Sequence, residues 1–319
     1  KYFKLDKRYI KRIMDLRNQV EKIKTKISGK ISFNENLSKF SWFNLGGPAK
    51  IVFRPDNLKD LSTFLKEINT NEQIKVLGVG SNTLIRDGGF CGAIIKLGKT
   101  FSHVSLFNDS TLVAGAGALD NQVSNFSLNN SLSGFEFLSC IPGSVGGGIQ
   151  MNSGCYDHDI SQILLSVQAV DLNGRLITIP RSEIKFHYRG SNLDSDLIFV
   201  SATFQGTRKK KYEIEKKIQD FILKKKNSQP SKIKTCGSTF KNPIDQTTKK
   251  AWELIQQSKC QNMFCGDACI SQEHLNFFVN KGNCKSKDLE KLILDVKQQV
   301  LKETGVKLKL ELQIIGEQE

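Results

Sequence analysis

Apolar residues in this chain recur every three or four positions in some stretches and alternate or run together in others. Ile10, Ile13, Leu16, Val20 and Ile23 have helical spacing, so residues 1–30 read as a basic amphipathic helix. From 31 to 101 strand and helix signals alternate. Ala49–Phe53, Ile74–Leu77 and Ala93–Leu97 are short runs of the buried-strand kind, and Leu58–Ile68 has helical spacing with Asn57 placed to cap it. That order is βαβ-like. From 102 to 208 strands dominate. Thr111–Ala114 precedes a helix over Leu119–Asn129, and Val167–Asp171 and Arg175–Ile179 flank Asn173-Gly174, a pair suited to a two-residue hairpin turn. Leu197–Phe204 closes this block as a strand. After a lysine-rich helix at 209–226, the pattern gives a strand (Ser238–Lys241), a helix (Lys249–Gln257) and two strands (Cys269–Ile270, Phe277–Asn280). A helix over Ser286–Thr304, capped at Ser286 with Asp288, and a strand over Leu308–Ile315 complete the chain.

At 319 residues the chain has room for about two domains. An apolar share of 39% excludes a disordered chain, which could not bury enough surface to offset its ordering entropy. No run of about 18 apolar residues is present. Residues 1–30 lack a continuous apolar stretch and a small-residue cleavage site, so they do not read as a signal peptide.

The net charge of +15 is concentrated. Residues 1–30 and 207–234 each carry 11 basic and 3 acidic side chains, +8 apiece, and the rest is nearly neutral. Two basic helices on a neutral body suit contact with nucleic acid or a membrane surface, or lysines on solvated helix faces. No aromatic interleaving or nucleic-acid motif accompanies them, which favours the second reading. Eight cysteines are scattered along the chain, the pattern of reduced thiols in a cytosol rather than of a disulfide framework. Cys260-x4-Cys265-x3-Cys269, with Cys284 and His274 nearby, approaches zinc spacing but lacks two clean pairs, so buried thiols are expected and no metal.

Three glycine-rich segments lie within 70 residues: Gly78-Val79-Gly80-Ser81-Asn82, Gly115-Ala-Gly117, and Ile141-Pro142-Gly143-Ser144-Val-Gly146-Gly147-Gly148. The last is a loop that no regular element is expected to tolerate. None matches the three-glycine dinucleotide fingerprint. Successive backbone N–H groups in such turns form anion-binding concavities, so the set suits several phosphates or one long diphosphate ligand.

An ordered series of motifs goes further. It runs Trp42-Phe-Asn-Leu-Gly-Gly47, Leu77-Gly-Val-Gly-Ser-Asn82, Arg86-Asp-Gly-Gly-Phe90, Gly134-Phe-Glu-Phe-Leu138, Ile141-Pro-Gly-Ser-Val-Gly-Gly147, Met151-Asn-Ser-Gly154 and Tyr188-Arg-Gly-Ser191. It continues with Gly237-Ser-Thr-Phe-Lys-Asn-Pro243, Ala251-Trp252, His274-x-Asn276-Phe277, Leu310-Glu311 and Ile314-Ile-Gly316. Over about residues 38–316 the chain resembles the UDP-N-acetylenolpyruvoylglucosamine reductases, the MurB flavoenzymes of peptidoglycan precursor synthesis, in their shorter, type II-like form. The resemblance implies an α+β fold: an FAD-binding module of the vanillyl-alcohol-oxidase/PCMH type in two subdomains (31–101 and 102–208), a C-terminal α+β substrate domain (209–319), and the basic helical extension 1–30. It implies FAD and NADPH as cofactors, a UDP-sugar substrate, a cytoplasmic and monomeric enzyme, and no nucleic-acid partner or membrane insertion. FAD contacts would come from Gly78, Val79, Gly80, Ser81, Asn82, Gly117, Pro142, Gly143, Ser144, Gly146, Gly147 and Asn152. Substrate contacts would come from Tyr188, Lys241, Asn242, His274 and Asn276.

The chemistry suits three further positions. Reduction of an enolpyruvyl ether adds hydride at the terminal carbon and a proton at its neighbour, building enolate-like charge conjugated to the carboxylate. An arginine fork holds a carboxylate bidentately, a buried acid can polarise the same group, and a nearby hydroxyl can deliver the proton. The resemblance places Arg189, Glu311 and Ser238 in those roles. A flavoenzyme of the same module that oxidises a small alcohol or amine would keep the glycine loops but not these three together, and a basic binding protein would bind no flavin. The chain departs from the family pattern at Cys140, where glycine is usual, at Ser153 and Cys155, across 259–267, and at Lys309-Leu310 before Glu311. These departures bear on loop shape and UDP-sugar contact.

Overall fold

The computed structural model describes residues 16–68, 73–230 and 233–319. In chain order the main elements are β1 (Lys30–Asn36), β2 (Pro48–Arg54), α1 (Leu58–Glu67), β3 (Gln73–Val76), β4 (Thr83–Ile85), β5 (Phe90–Ile95), β6 (Val104–Leu106) and β7 (Thr111–Gly115). Then come α2 (Asp120–Asn129), α3 (Val145–Met151), β8 (Leu164–Val170), β9 (Leu176–Pro180), β10 (Ile198–Gln205) and α4 (Lys211–Ser228). The last are α5 (Ala251–Gln257), β11 (Phe264–Cys265), β12 (Ala268–Ile270), β13 (Phe278–Asn280), α6 (Ser286–Thr304) and β14 (Gln313–Ile315).

The chain forms two compact units. One comprises residues up to Glu35, Ala49–Gly78 and Cys91–Phe221; the other comprises Asn36–Pro48, Val79–Phe90 and Ile222–Glu319. The 31–101 block, which the sequence suggests as a single subdomain, thus contributes to both.

In the first unit a sheet in the order β1-β2-β5-β3 and an antiparallel sheet in the order β9-β8-β10-β7-β6 share α1. One face of α1 places Phe64 against Phe53, with ring centroids 4.2 Å apart. The other places Leu61 and Leu65 against Ile95, Val170, Ile198 and Val200. Asn57 caps α1 by accepting from Asp60 N–H at 2.9 Å, as the sequence predicts. Residues 16–23 are helical, and Leu16, Val20 and Ile23 pack with Ile51, Phe53, Phe64 and Ala93. Full burial of such side chains is worth roughly 1.5–3 kcal/mol each. This part of the basic segment is core, which its charge conceals; Ile10 and Ile13 lie outside the described residues. Beneath the five-stranded sheet, Leu112, Ala114, Val167, Ala202 and Phe204 pack with Val123 of α2 and Val145 and Ile149 of α3.

Two local expectations are corrected. The hairpin between β8 and β9 does not turn on two residues. Val170 pairs with Leu176, Asp171 N–H donates to Arg175 O at 3.0 Å, and Gly174 (φ +75°) ends a three-residue loop. The glycine run after Pro142 is not all loop, for Val145–Met151 forms helix α3 through Gly146, Gly147 and Gly148. The cost of glycine in a helix is accepted because another backbone lies too close for side chains: a Cβ on Gly146 would sit 3.2 Å from Ala116 Cβ and O.

The second unit packs α5 and α6 on the small sheet β11-β12-β13, with Phe43, Leu84, Phe240, Leu254, Phe278 and Val296 in its core. β14 runs parallel to β4. α6 starts as predicted, but its cap comes from two sources. Asp288 accepts from Lys285 N–H at 3.0 Å, and Asp87 accepts from Ser286 N–H at 2.6 Å and Oγ at 2.8 Å. Ser238–Lys241 and Leu308–Ile315 are strands only in part, the former holding isolated bridges, Ser238 to Phe277 and Phe240 to Leu310.

Candidate active site

In the first unit two glycine segments lie side by side. At the end of β7, Gly115 N–H donates to His103 O at 2.8 Å and Gly117 N–H to Phe101 O at 2.8 Å, which fixes the turn. The start of α3 then pairs with that turn, Val145 N–H to Ala118 O and Gly146 N–H to Ala116 O, both at 2.9 Å. These donors are among those a helix leaves unpaired at its first turn. Leu119 and Ser144 form a bridge, and Asp120 N–H donates to Gly143 O at 3.1 Å. A Cβ on Gly78 would lie 2.9 Å from Ser144 Oγ. Lys96 Nζ donates to the Gly78 carbonyl. Burial, with repulsion from Arg54 and against attraction from Glu35, lowers the Lys96 pKa to about 8.

These segments fit an FAD. Gly147 has only Ser144 Oγ within 4 Å of where a Cβ would stand, at 3.6 Å, so its backbone is open to close approach. The segments 78–82 and 141–148 carry no carboxylate to oppose a diphosphate. The acid beneath the second, Asp120, is fully buried, and burial pushes its pKa up to about 8.

Further along the first unit, Asn152 ends α3 in the left-handed region (φ +40°). Its side chain accepts from Ser161 N–H at 3.0 Å and donates to His187 O at 3.3 Å. Arg189 is also left-handed (φ +57°), in the Tyr188-Arg-Gly-Ser turn. Its Nη2 donates to Gly154 O at 2.8 Å, and its guanidinium stands 5.1 Å from the centre of the Tyr188 ring. Non-glycine residues held in that region concentrate where function fixes the backbone.

The second unit is organised around residues 235–241. Thr235 Oγ1 donates to Phe278 O at 2.6 Å, and the Cys236 thiol lies 3.5 Å from both Gly80 O and Thr83 O. Ser238, half-buried, follows Gly237 (φ +75°). Thr239 N–H donates to Asn276 O at 2.8 Å, and Glu311 N–H donates to Thr239 O at 2.9 Å. The buried Asn276 amide clamps Phe240, accepting from its N–H at 3.0 Å and donating to its carbonyl at 2.8 Å. Asn242 Oδ1 accepts from Ala251 N–H at 3.0 Å, and Lys241 N–H donates to Lys309 O at 2.9 Å. His274 Nδ1 accepts from Asn276 N–H at 3.3 Å, and burial lowers its pKa. In the same unit Gly80 (φ +71°) accepts from Trp42 N–H at 3.1 Å, and Asn82 Nδ2 donates to Glu311 O at 3.1 Å.

Ser238, Glu311, Gly80, Ser81, Asn82, Lys241, Asn242, His274 and Asn276 therefore belong to one unit, and Arg189, Tyr188, Asn152 and the 115–117 and 143–148 segments to the other. Sequence reading missed Lys96, Asp120 and Cys236. The one visible signal was a lysine after the apolar run Ala93–Ile95. None of the eight cysteines is in a disulfide, and among the described residues no group of three His, Cys, Asp or Glu could hold a metal ion.

Glycine turns with backbone open to close approach suit an FAD-binding oxidoreductase, and comparison with known proteins agrees. Residues 49–180 match the family model of an FAD-binding domain, and residues 229–315 match that of the UDP-N-acetylenolpyruvoylglucosamine reductase C-terminal domain. The chain is 50% identical over 297 residues to the UDP-N-acetylenolpyruvoylglucosamine reductase of Pelagibacter ubique, covering 93% of this chain and 98% of that protein. It is 40% identical over 290 residues to that of Rickettsia typhi, covering 91% and 97%. The crystal structure of the reductase (MurB) from Thermus caldophilus superposes with a TM-score of 0.77 at 29% identity, covering 91% of this chain and all of that one. The chain belongs to the UDP-N-acetylenolpyruvoylglucosamine reductase family.

Proposed function

We propose that Ser238, Arg189 and Glu311 carry the family reaction in this chain, the NADPH-dependent, FAD-mediated reduction of UDP-N-acetylglucosamine enolpyruvate to UDP-N-acetylmuramate. The observation that carries the reading is the direct hydrogen bond from Glu311 N–H to Thr239 O at 2.9 Å, which ties the backbone of the acid to the residue beside Ser238. When bound and reduced by NADPH, FAD would supply the hydride for the terminal enol carbon. Ser238 holds a proton on Oγ and delivers it to the adjacent carbon, a step typically worth about 10²–10⁴-fold in rate. Arg189 binds the substrate carboxylate through its fork and offsets the charge that grows there. Glu311 polarises the same conjugated group.

The 143–148 backbone would hold the FAD diphosphate, with Gly117, Pro142 and Asn152 as neighbouring cofactor residues, and the 78–82 segment would supply further cofactor contacts. Asn276, Asn242 and Asn152 already spend side-chain groups on the protein itself, so they act by fixing the backbone around the ligands. Tyr188, Lys241 and His274 keep direct substrate roles. Residues 31–208 serve the cofactor, apart from Tyr188 and Arg189, which are given to the substrate, and 209–319 serve the sugar nucleotide. We place the enzyme in the cytoplasm as a monomer, without a nucleic-acid partner; among the described residues no helix is long and apolar enough to cross a membrane. The test is anaerobic turnover of the enolpyruvyl sugar nucleotide with NADPH. UDP-N-acetylmuramate should form in wild type and at a severely reduced rate in Arg189→Lys and Glu311→Gln, and unimpaired turnover in both variants would remove the assignment.

A further inference from the structure

The reaction leaves Asp120 without a task. It opens α2, is 0% exposed, and among the described residues neither carboxyl oxygen has a hydrogen-bond partner. Its position is set by the cofactor segment. Its N–H donates to Gly143 O at 3.1 Å, its Oδ2 stands where a Cβ on Gly143 would go, and its Oδ1 lies 3.6 Å from where a Cβ on Gly148 would be. The carboxyl therefore fills the space under both ends of the 143–148 backbone.

An ionised carboxylate cannot persist there without a partner, because burial of an unpaired charge costs far more than burial of a neutral acid. The sequences of α2, α3, β7, β10 and the 141–144 segment hold no other ionisable side chain. The 3-10 turn Glu136–Cys140, packed on α2, holds Glu136, which accepts from Ser133 Oγ at 2.6 Å and Gly134 N–H at 2.8 Å and lies 3.9 Å from Lys217. None of these elements supplies a cation to Asp120, and burial is the cause of its raised pKa of about 8.

We propose that Asp120 is a positioning residue for FAD: its protonated carboxyl supports the 143–148 backbone from beneath in the shape that receives the cofactor diphosphate. This rests on FAD as the bound cofactor. Protonation has two consequences. A neutral acid fits the space that two glycines leave, and it places no negative charge behind a segment that must accept a dianionic ligand. Ionisation removes both.

The test is the FAD dissociation constant of the full-length holoenzyme, read from flavin fluorescence on dilution at about pH 7 and about pH 9 for wild type, Asp120→Asn and Asp120→Ala. If only the protonated form holds the loop, wild type should lose about tenfold in affinity for each pH unit above the carboxyl pKa. Asp120→Asn, a neutral isostere, should match wild type at the lower pH and keep its affinity at the higher one. Asp120→Ala should release FAD more readily at both. A purely structural role would lower thermal stability in Asp120→Ala and leave the pH dependence of FAD affinity the same in wild type and Asp120→Asn. That result, or a flat wild-type profile, overturns the proposal. If Asp120→Ala does not fold, the wild-type and Asp120→Asn pair still decides.

Discussion

The side chain of Asn82 donates through Nδ2 to the carbonyl of Glu311 at 3.1 Å, while Gln313 N–H donates back to Asn82 O at 3.0 Å. A residue of the first glycine segment is thereby fixed to the backbone of the acid assigned to substrate polarisation, across 229 positions of sequence. Asn82→Ala should therefore raise the FAD dissociation constant and also slow reoxidation by the enolpyruvyl substrate. Loss of FAD affinity alone, with normal reoxidation in the flavin-saturated variant, would show that the link to Glu311 carries nothing.

Ser238 separates the two half-reactions. Ser238→Ala should bind FAD and accept electrons from NADPH at near-normal rate, since Ser238 has no part in that half. Reoxidation by the enolpyruvyl sugar should slow by about 10²–10⁴-fold. Ser238→Cys should recover part of this. Stopped-flow flavin absorbance measures both halves, and equal slowing of both would sink the proton-donor assignment.

Gly146 has Ala116 Cβ and O at 3.2 Å from the position of a side chain. Gly146→Leu should push α3 away from the 115–118 turn and break the bond from Gly146 N–H to Ala116 O. The variant should be purified with markedly less flavin, read as the ratio of flavin to protein absorbance. A wild-type ratio would contradict the close-approach argument.

Lys96 provides a pH signature. Its folded pKa of about 8 lies below the ordinary 10.5. Between those values the unfolded chain holds a proton that the folded chain has released, so this group makes stability rise with pH across that window. Below it, the buried ammonium exacts its full penalty. Comparing urea midpoints of wild type and Lys96→Met at about pH 7.5 and about pH 10 isolates the effect. The wild-type midpoint should gain on that of the variant at the higher pH, and parallel midpoints would refute the assignment.

Leu16 and Val20 are 0% exposed and Ile23 is 2% exposed, in contact with β2 and α1. The sequence presents residues 1–30 as a basic helical extension outside the family resemblance. The packing predicts instead that Leu16→Ala costs about 2–5 kcal/mol of stability, and that deletion of 1–30 lowers the melting temperature strongly. Denaturant unfolding checks the first and calorimetry the second.

The sequence determined what neighbouring residues settle among themselves. Periodicity located α1, α2, α4 and α6 to within a few residues. Asn57 announced its own cap because side chain and recipient N–H lie three positions apart. The ordered motifs identified the family, because glycine, arginine and serine at those spacings answer to chemistry rather than to packing. Tertiary structure alone decided what depends on an approach from far along the chain. It turned Gly146–Gly148 into helix because the Ala116 carbonyl comes close enough to pair with Gly146 N–H. It took the cap of α6 from Asp87, 199 residues away, and left Ser238–Lys241 a clamped segment rather than a regular strand. It raised the pKa of Asp120, whose letter reads as charged, because only the folded chain removes the water that favours ionisation.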